Sequence, residues 1–256
     1  MKKGIFPLIV GNWKMNPQTI TLGVTLALEL KKKLQHSTGV EVVIAPPFTH
    51  IESVRKARSG CDVYALGAQN AHPAKLGPHT GEISIPMLQE FGVSYIILGH
   101  SERRALGEKD VFINEKLLAT IKSGLTGIVC VGETKRDHNG HYLNQVEGQV
   151  RGALANVSKA KLGQVVVSYE PVWAIGTGKN ATADDIHEMK LFIEKILSDI
   201  YGRNLAQKVR IIYGGSVTSK NARELHDFGM MDGFLVGGAS LVTEEFVEII
   251  KSVRTS

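Results

Sequence analysis

Short apolar runs alternate with longer amphipathic stretches along the whole chain. Ile5–Val10, Val40–Ala45, Val63–Ala68, Tyr95–Leu98, Ile128–Val131, Val165–Tyr169, Val209–Tyr213 and Phe234–Val236 each predict a β-strand. These runs are almost continuously apolar, the pattern of parallel strands covered on both faces. Between them the apolar period becomes helical. Ile186, Met189, Ile193, Ile196, Leu197 and Ile200 make one stripe of a helix. Thr182 precedes it as an N-cap, and Asp184 and Asp185 place negative charge in the first turn, where the helix dipole favours it. Phe246, Ile249, Ile250 and Val253 form a second stripe, and Leu22, Leu26, Leu30 and Leu34 an i+4 ridge near the start.

Eight strand–helix units in 256 residues come to about 32 residues each, the size of a βα repeat. No linker or composition break divides the chain, so one domain over residues 1–256 is expected. Such a chain can close into a barrel or spread as a doubly wound sheet. Asn12 and Lys14, Gln69 and Asn70, His100 and Glu102, Glu133, Glu170 and Gly214-Gly215-Ser216 follow six of the strands, and Gly237-Gly238 follows the last. Chemistry spread over so many strand ends predicts an α/β fold of the (β/α)8 type: eight parallel strands, an outer ring of helices and one functional rim. An open sheet concentrates its chemistry at a single switch point.

Composition narrows the function. An apolar fraction of 43% is too high for a disordered chain, and no apolar run approaches the length needed to cross a bilayer. Met1-Lys2-Lys3 and the apolar stretch behind it imitate a secretory leader. That stretch is short, contains Pro7 and runs into Asn12, Trp13 and Lys14 without a small-residue cleavage site, so a mature first strand and a cytoplasmic protein are expected. Cys61 and Cys130 are too few for a disulfide framework and fit a reducing compartment. The net charge of +5 is dispersed, and its densest run, Lys31-Lys32-Lys33, falls on a predicted helix as a solvated face. That distribution suits a small anionic substrate better than nucleic acid.

Glycines behind the last two strands, Gly214-Gly215-Ser216 and Gly237-Gly238, can bring bare backbone N–H groups to an anion. Together they match the usual phosphate site of an eight-fold barrel. Gly176-Thr177-Gly178-Lys179-Asn180-Ala181 formally fits a dinucleotide fingerprint, but five residues separate its first glycine from Pro171's predecessor, Glu170, so no tight strand–turn–helix forms. A lid over the phosphate is the better reading. His100 ends an apolar strand, and a short helix starting at Ser101 would favour its neutral form. Glu170 ends another strand at the hinge of the expected lid, and Lys14 follows the first. A carboxylate, an imidazole and an ammonium on one rim suit proton transfer beside a carbonyl.

The motifs themselves resemble a known family. Gly11-Asn12-Trp13-Lys14-Met15-Asn16, Gly67-Ala68-Gln69-Asn70, Thr80-Gly81-Glu82, Gly99-His100-Ser101-Glu102-Arg103-Arg104, Cys130-Val131-Gly132-Glu133, Tyr169-Glu170-Pro171-Val172-Trp173-Ala174-Ile175-Gly176-Thr177-Gly178, Tyr213-Gly214-Gly215-Ser216 and Leu235-Val236-Gly237-Gly238-Ala239-Ser240-Leu241 resemble those of the triosephosphate isomerases, in family order. The resemblance implies a TIM barrel that interconverts dihydroxyacetone phosphate and glyceraldehyde 3-phosphate in glycolysis and gluconeogenesis, with no cofactor and no metal. It implies Glu170 as the base and His100 as a neutral electrophile, a pairing for which this family is the reference case. It further implies that Lys14 and Asn12 stabilise the enediolate, and that Gly176, Ser216, Gly237 and Gly238 hold the phosphate through backbone amides.

The same resemblance implies a homodimer, whose third loop usually inserts into the partner beside its catalytic lysine. Here Gly77-Pro78-His79 stands where that loop commonly has Gly-Ala-aromatic, and Arg136-Asp137-His138-Asn139-Gly140 replaces a commonly Arg-Glu-Ala-Gly-like turn. Two rival readings exist: an aldolase on the same barrel using Lys14 as a Schiff base, and a catalytically silent sugar-phosphate binding module.

Overall fold

The computed structural model describes residues 6–35, 39–60, 62–137, 139–174 and 181–254. Eight parallel strands pair in sequence order and close on themselves: β1 (Leu8–Asn12), β2 (Glu41–Ala45), β3 (Ala65–Ala68), β4 (Val93–Leu98), β5 (Thr126–Val131), β6 (Val165–Tyr169), β7 (Arg210–Tyr213) and β8 (Gly233–Val236). Helices that follow the strands form the outer layer, among them Ile20–Leu34, Asp110–Lys122, His141–Ala153, Ala183–Tyr201 and Thr243–Ser252. The expected (β/α)8 barrel is the observed fold.

Both faces of the strands are buried, which explains why the runs lack alternation. Leu8 and Val10 join Val43, Ile97, Ile128, Val166, Ile212 and Leu235 inside the barrel, while Ile9, Ile44, Ile96, Val129, Val167 and Ile211 pack outward against the helices. Each such side chain contributes roughly 1.5–3 kcal/mol of apolar burial. Thr182 caps the helix Ala183–Tyr201, its hydroxyl accepting from Asp185 N–H while the Asp185 carboxylate accepts from Thr182 N–H. The reciprocal pair is worth about 1 kcal/mol or more. On the ridge near the start, Leu26, Leu30 and Leu34 are buried but Leu22 is exposed.

Strand limits differ from the sequence reading mainly at the first strand, predicted over Ile5–Val10. Ile5 lies outside the described residues, and the observed β1 starts only after Pro7. Proline has no N–H to donate to a ladder; its carbonyl does accept from Glu41 N–H at 2.8 Å. At the other end pairing continues through Gly11 and Asn12, opposite Ile44 and Ala45. The polar end of β1 is therefore part of the barrel wall. At the opposite mouth Glu41, Tyr95 and Arg210 are hydrogen-bonded together. Burial there, together with the Glu41 carboxylate, pushes the Tyr95 phenol up to about 12.

Candidate functional site

Strand parity assembles the site. Inside residues recur at every second position, so continuing Leu8 and Val10 brings Asn12 to the inner face at the rim. The same count carries Val166 to Glu170, Ile212 to Gly214 and Leu235 to Gly237. His100 breaks the rule: Ile96 and Leu98 point outward, and an uninterrupted strand would send position 100 with them. Gly99, at φ +66°, reverses the chain there in a conformation that side-chain-bearing residues rarely adopt. A Cβ on it would also lie 2.6 Å from Ile113.

Asn12, Lys14, His100, Ser216, Gly237 and Gly238 line one cavity of about 280 Å3 at the C-terminal rim, with Gly214, Gly215, Val217, Thr218, Leu235 and Ala239 completing its wall. Glu170 adjoins it, Oε1 lying 3.5 Å from His100 Nε2. Seven of the eight site residues expected from sequence thus converge on one spot. The eighth, Gly176, lies outside the described residues.

Each charged group has a defined support. Glu170 is buried; its Oε2 accepts from Ser101 N–H at 2.9 Å, and its Oε1 has no hydrogen-bond partner. His100 precedes the short helix Ser101–Ala105, and its Nδ1 accepts from Glu102 N–H at 3.2 Å. A lone pair at Nδ1 places the proton of the neutral ring on Nε2, the atom that faces Glu170. Lys14 sits at φ +54°, a strained conformation for a lysine. It is held by its N–H to Asn12 Oδ1 at 3.1 Å and by Gln69 Nε2, which donates to its carbonyl at 2.8 Å. Its Nζ donates to Glu102 at 2.7 Å. Burial pushes the Glu102 carboxyl up, but the Lys14 ammonium outweighs it and holds the group below the usual range.

The glycine wall serves close approach more than turning. A Cβ on Gly214 would stand 2.8 Å from Glu170 Cγ, and one on Gly215 would stand 2.1 Å from the Tyr213 hydroxyl. That hydroxyl is hydrogen-bonded to the backbone of Ser216, which opposes the upward push of burial on the phenol. The Gly237 carbonyl is turned into the fold, accepting from the N–H and hydroxyl of Ser240 at 2.8 and 2.7 Å. The segment after β6 is rooted on Glu133. This buried carboxylate accepts from Trp173 Nε1 at 2.7 Å, Tyr169 Oη at 2.9 Å and Arg136 Nε at 3.0 Å. Glu102, Gln69 and Glu133 carried a sequence signal, as polar residues at strand ends, but no role. Their partners are 88, 55 and 40 positions away, at Lys14, Lys14 and Trp173.

The chain matches the family model for triosephosphate isomerase over residues 7–253. It is 48% identical over 247 residues to the triosephosphate isomerase of Carboxydothermus hydrogenoformans, covering 96% of this chain and 98% of that protein. It is 45% identical over 246 residues to that of Chloroflexus aurantiacus, covering 95% and 98%. It is also 43% identical over 247 residues to that of Syntrophotalea carbinolica, covering 96% and 97%.

Proposed function

The chain belongs to the triosephosphate isomerase family, and from that premise we propose that its rim cavity interconverts dihydroxyacetone phosphate and glyceraldehyde 3-phosphate through residues 12, 14, 100 and 170. Glu170 removes a proton from one carbon of the bound triose and returns it to the neighbouring carbon. Neutral His100 donates from Nε2 to the carbonyl oxygen and moves protons between the two oxygens. Lys14, with Asn12 beside it, stabilises the negative charge of the enediolate. Ser216, Gly237, Gly238 and Gly176 hold the phosphate through their backbone amides.

The observation that carries this reading is the His100–Glu170 pair beside a cavity walled by glycine and lysine. A carbon acid next to a carbonyl is weak, so the base must act with little water around it while fixed donors receive the developing oxyanion. Glu170 is 1% exposed, and His100 Nε2 lies 3.5 Å from its Oε1. Lys14 is engaged in an ion pair with Glu102, whereas a Schiff base needs a free amine; the aldolase reading gains nothing. A coupled assay tests the proposal: turnover of glyceraldehyde 3-phosphate, abolished in Glu170→Gln. An active Glu170→Gln enzyme refutes the assignment of the base.

We further propose a single catalytic domain over residues 1–256 that works as a homodimer in the cytoplasm. No helix among the described residues is long and apolar enough to cross a membrane. Met15, Leu76 and Leu106 are exposed by 91%, 84% and 84%, and Met15 and Leu106 line a second cavity of about 240 Å3 that shares Asn12, Lys14 and His100 with the first. Apolar side chains so exposed beside the proposed catalytic lysine support the reading of this face as one covered by a second copy of the chain. Sedimentation of a fully active monomer would exclude the dimer.

A further inference from the structure

Ser168 lies two positions before Glu170 on β6, so both project to the inside of the barrel. Its neighbours there are apolar or nearly so: Val166 on the same strand, Ile212 in register on β7 and Cys130 in register on β5. A hydroxyl in this layer is out of keeping with everything around it. Ser168 is fully buried, and its Oγ has no hydrogen-bond partner. The adjoining Cys130 thiol, kept protonated by burial and by the Glu170 carboxylate, is a weak partner at best.

A second unpartnered atom sits just above. Glu170 Oε1 is buried and has no N–H or O–H donor, only the weak Cys130 thiol beside the carboxylate, although Oε2 is held by the Ser101 amide. Donor and acceptor border the same small space. The Cβ that Gly214 lacks would lie 2.8 Å from Ser168 Oγ, 2.8 Å from Glu170 Cγ and 3.4 Å from Glu170 Oε1. Glu170 is also absent from the cavity lining that holds His100 and Lys14. To reach a carbon bound in that cavity, its carboxylate must turn away from the Ser101 amide. In turning it loses a donor.

We propose that Ser168 is a positioning residue for Glu170, its hydroxyl donating to Oε1 when the carboxylate turns from Ser101 toward the substrate. This rests on the reading of Glu170 as the base. The bond fixes one orientation of a side chain that otherwise has several, and it favours the charged form of the carboxylate. Both burials then have a reason: two oxygens that at rest have no partner stronger than a thiol become each other's partners in the working arrangement, with Gly214 leaving room for the movement.

Ser168→Ala tests this, because it removes one oxygen from a packed site without adding bulk. Losing a hydrogen bond to a charged group is expected to lower kcat by about tenfold. KM should stay within about twofold, since Ser168 does not touch the substrate. The acidic limb of the kcat profile, which reports the substrate-bound enzyme, should move to higher pH, because there the carboxylate loses a donor. Ser168→Thr, which keeps the hydroxyl, should recover most of kcat and the position of the limb. Wild-type kcat in Ser168→Ala overturns the proposal, as does a lowered kcat with an unmoved limb and no recovery in Ser168→Thr. Glu170→Gln separates the two readings: if it is inactive while Ser168→Ala matches wild type, the base stands and only the role of Ser168 falls.

Discussion

Gly214→Ala places one methyl group against Glu170, the proposed base. The added Cβ would stand 2.8 Å from both Glu170 Cγ and Ser168 Oγ, where 3.4 Å begins ordinary contact. Something must therefore move by roughly 0.6 Å. Gly214 does not have a left-handed backbone, so alanine meets no conformational penalty and the contact alone is tested. The carbonyl of Tyr169 accepts from Gly214 N–H at 2.8 Å, which pins the backbone and leaves Glu170 as the group that yields. A misplacement of about 1 Å can cost on the order of 100-fold in rate, so a shift of this size should lower kcat by about tenfold. Lys14, Ser216, Gly237 and Gly238, the proposed substrate-binding residues, are not among the contacts of the added Cβ, so KM should change by less than about twofold. Overpacking should also lower stability by about 1–3 kcal/mol, a fall in Tm of several degrees. The coupled assay gives kcat and KM, and thermal unfolding followed by circular dichroism gives Tm. A folded Gly214→Ala enzyme with wild-type kcat would refute the claim that this contact displaces Glu170.

Other outcomes follow from the same contacts. Glu133→Gln removes the charge that receives Arg136, Tyr169 and Trp173, and should lower the unfolding free energy by about 2 kcal/mol in a urea titration; an unchanged midpoint would mean the network is idle. Gly148 is exposed within the helix His141–Ala153 with nothing within 4 Å of a built Cβ, so Gly148→Ala should add about 0.5–1 kcal/mol, read as a raised Tm. Burial holds the His226 imidazole below its usual range even though its Nδ1 donates to the Met231 carbonyl at 2.9 Å. The unfolded chain therefore takes up that proton first, and this share of stability is complete above about pH 6.5 and is lost as pH falls below it. Urea midpoints at pH 7.5 and 5.5 should drop less in His226→Gln than in wild type, and parallel drops would exclude His226 as the source.

Much of the barrel was legible along the chain. β6 was predicted at its observed limits, and the other seven strands lie within a few positions of theirs, because burial on both faces writes an uninterrupted apolar run. Ser94 and Thr126 escaped notice because the ladder is made by backbone groups, which pair as well beneath a polar side chain as beneath valine. Asn12, Glu170, Gly214 and Gly237 could be placed by counting, since position along a strand decides which face a residue meets.

The sequence by itself determined the eight strands, the helices that cover them, the strand ends that carry chemistry and the motifs that mark the family. Only the tertiary structure decided which of those ends meet and what supports them. Parity would have turned His100 outward, and a single left-handed glycine brings it back. Lys14 is fixed by Gln69 and Glu102 from two other strand ends, and Trp173 by Glu133 from a neighbouring one. The physical reason is range. Apolar period and caps are written within one turn or one strand, whereas hydrogen bonds across a closed barrel join residues that share no local pattern. The two unpartnered oxygens of Ser168 and Glu170 belong to this second kind: nothing along β6 sets that serine apart until the barrel closes over it.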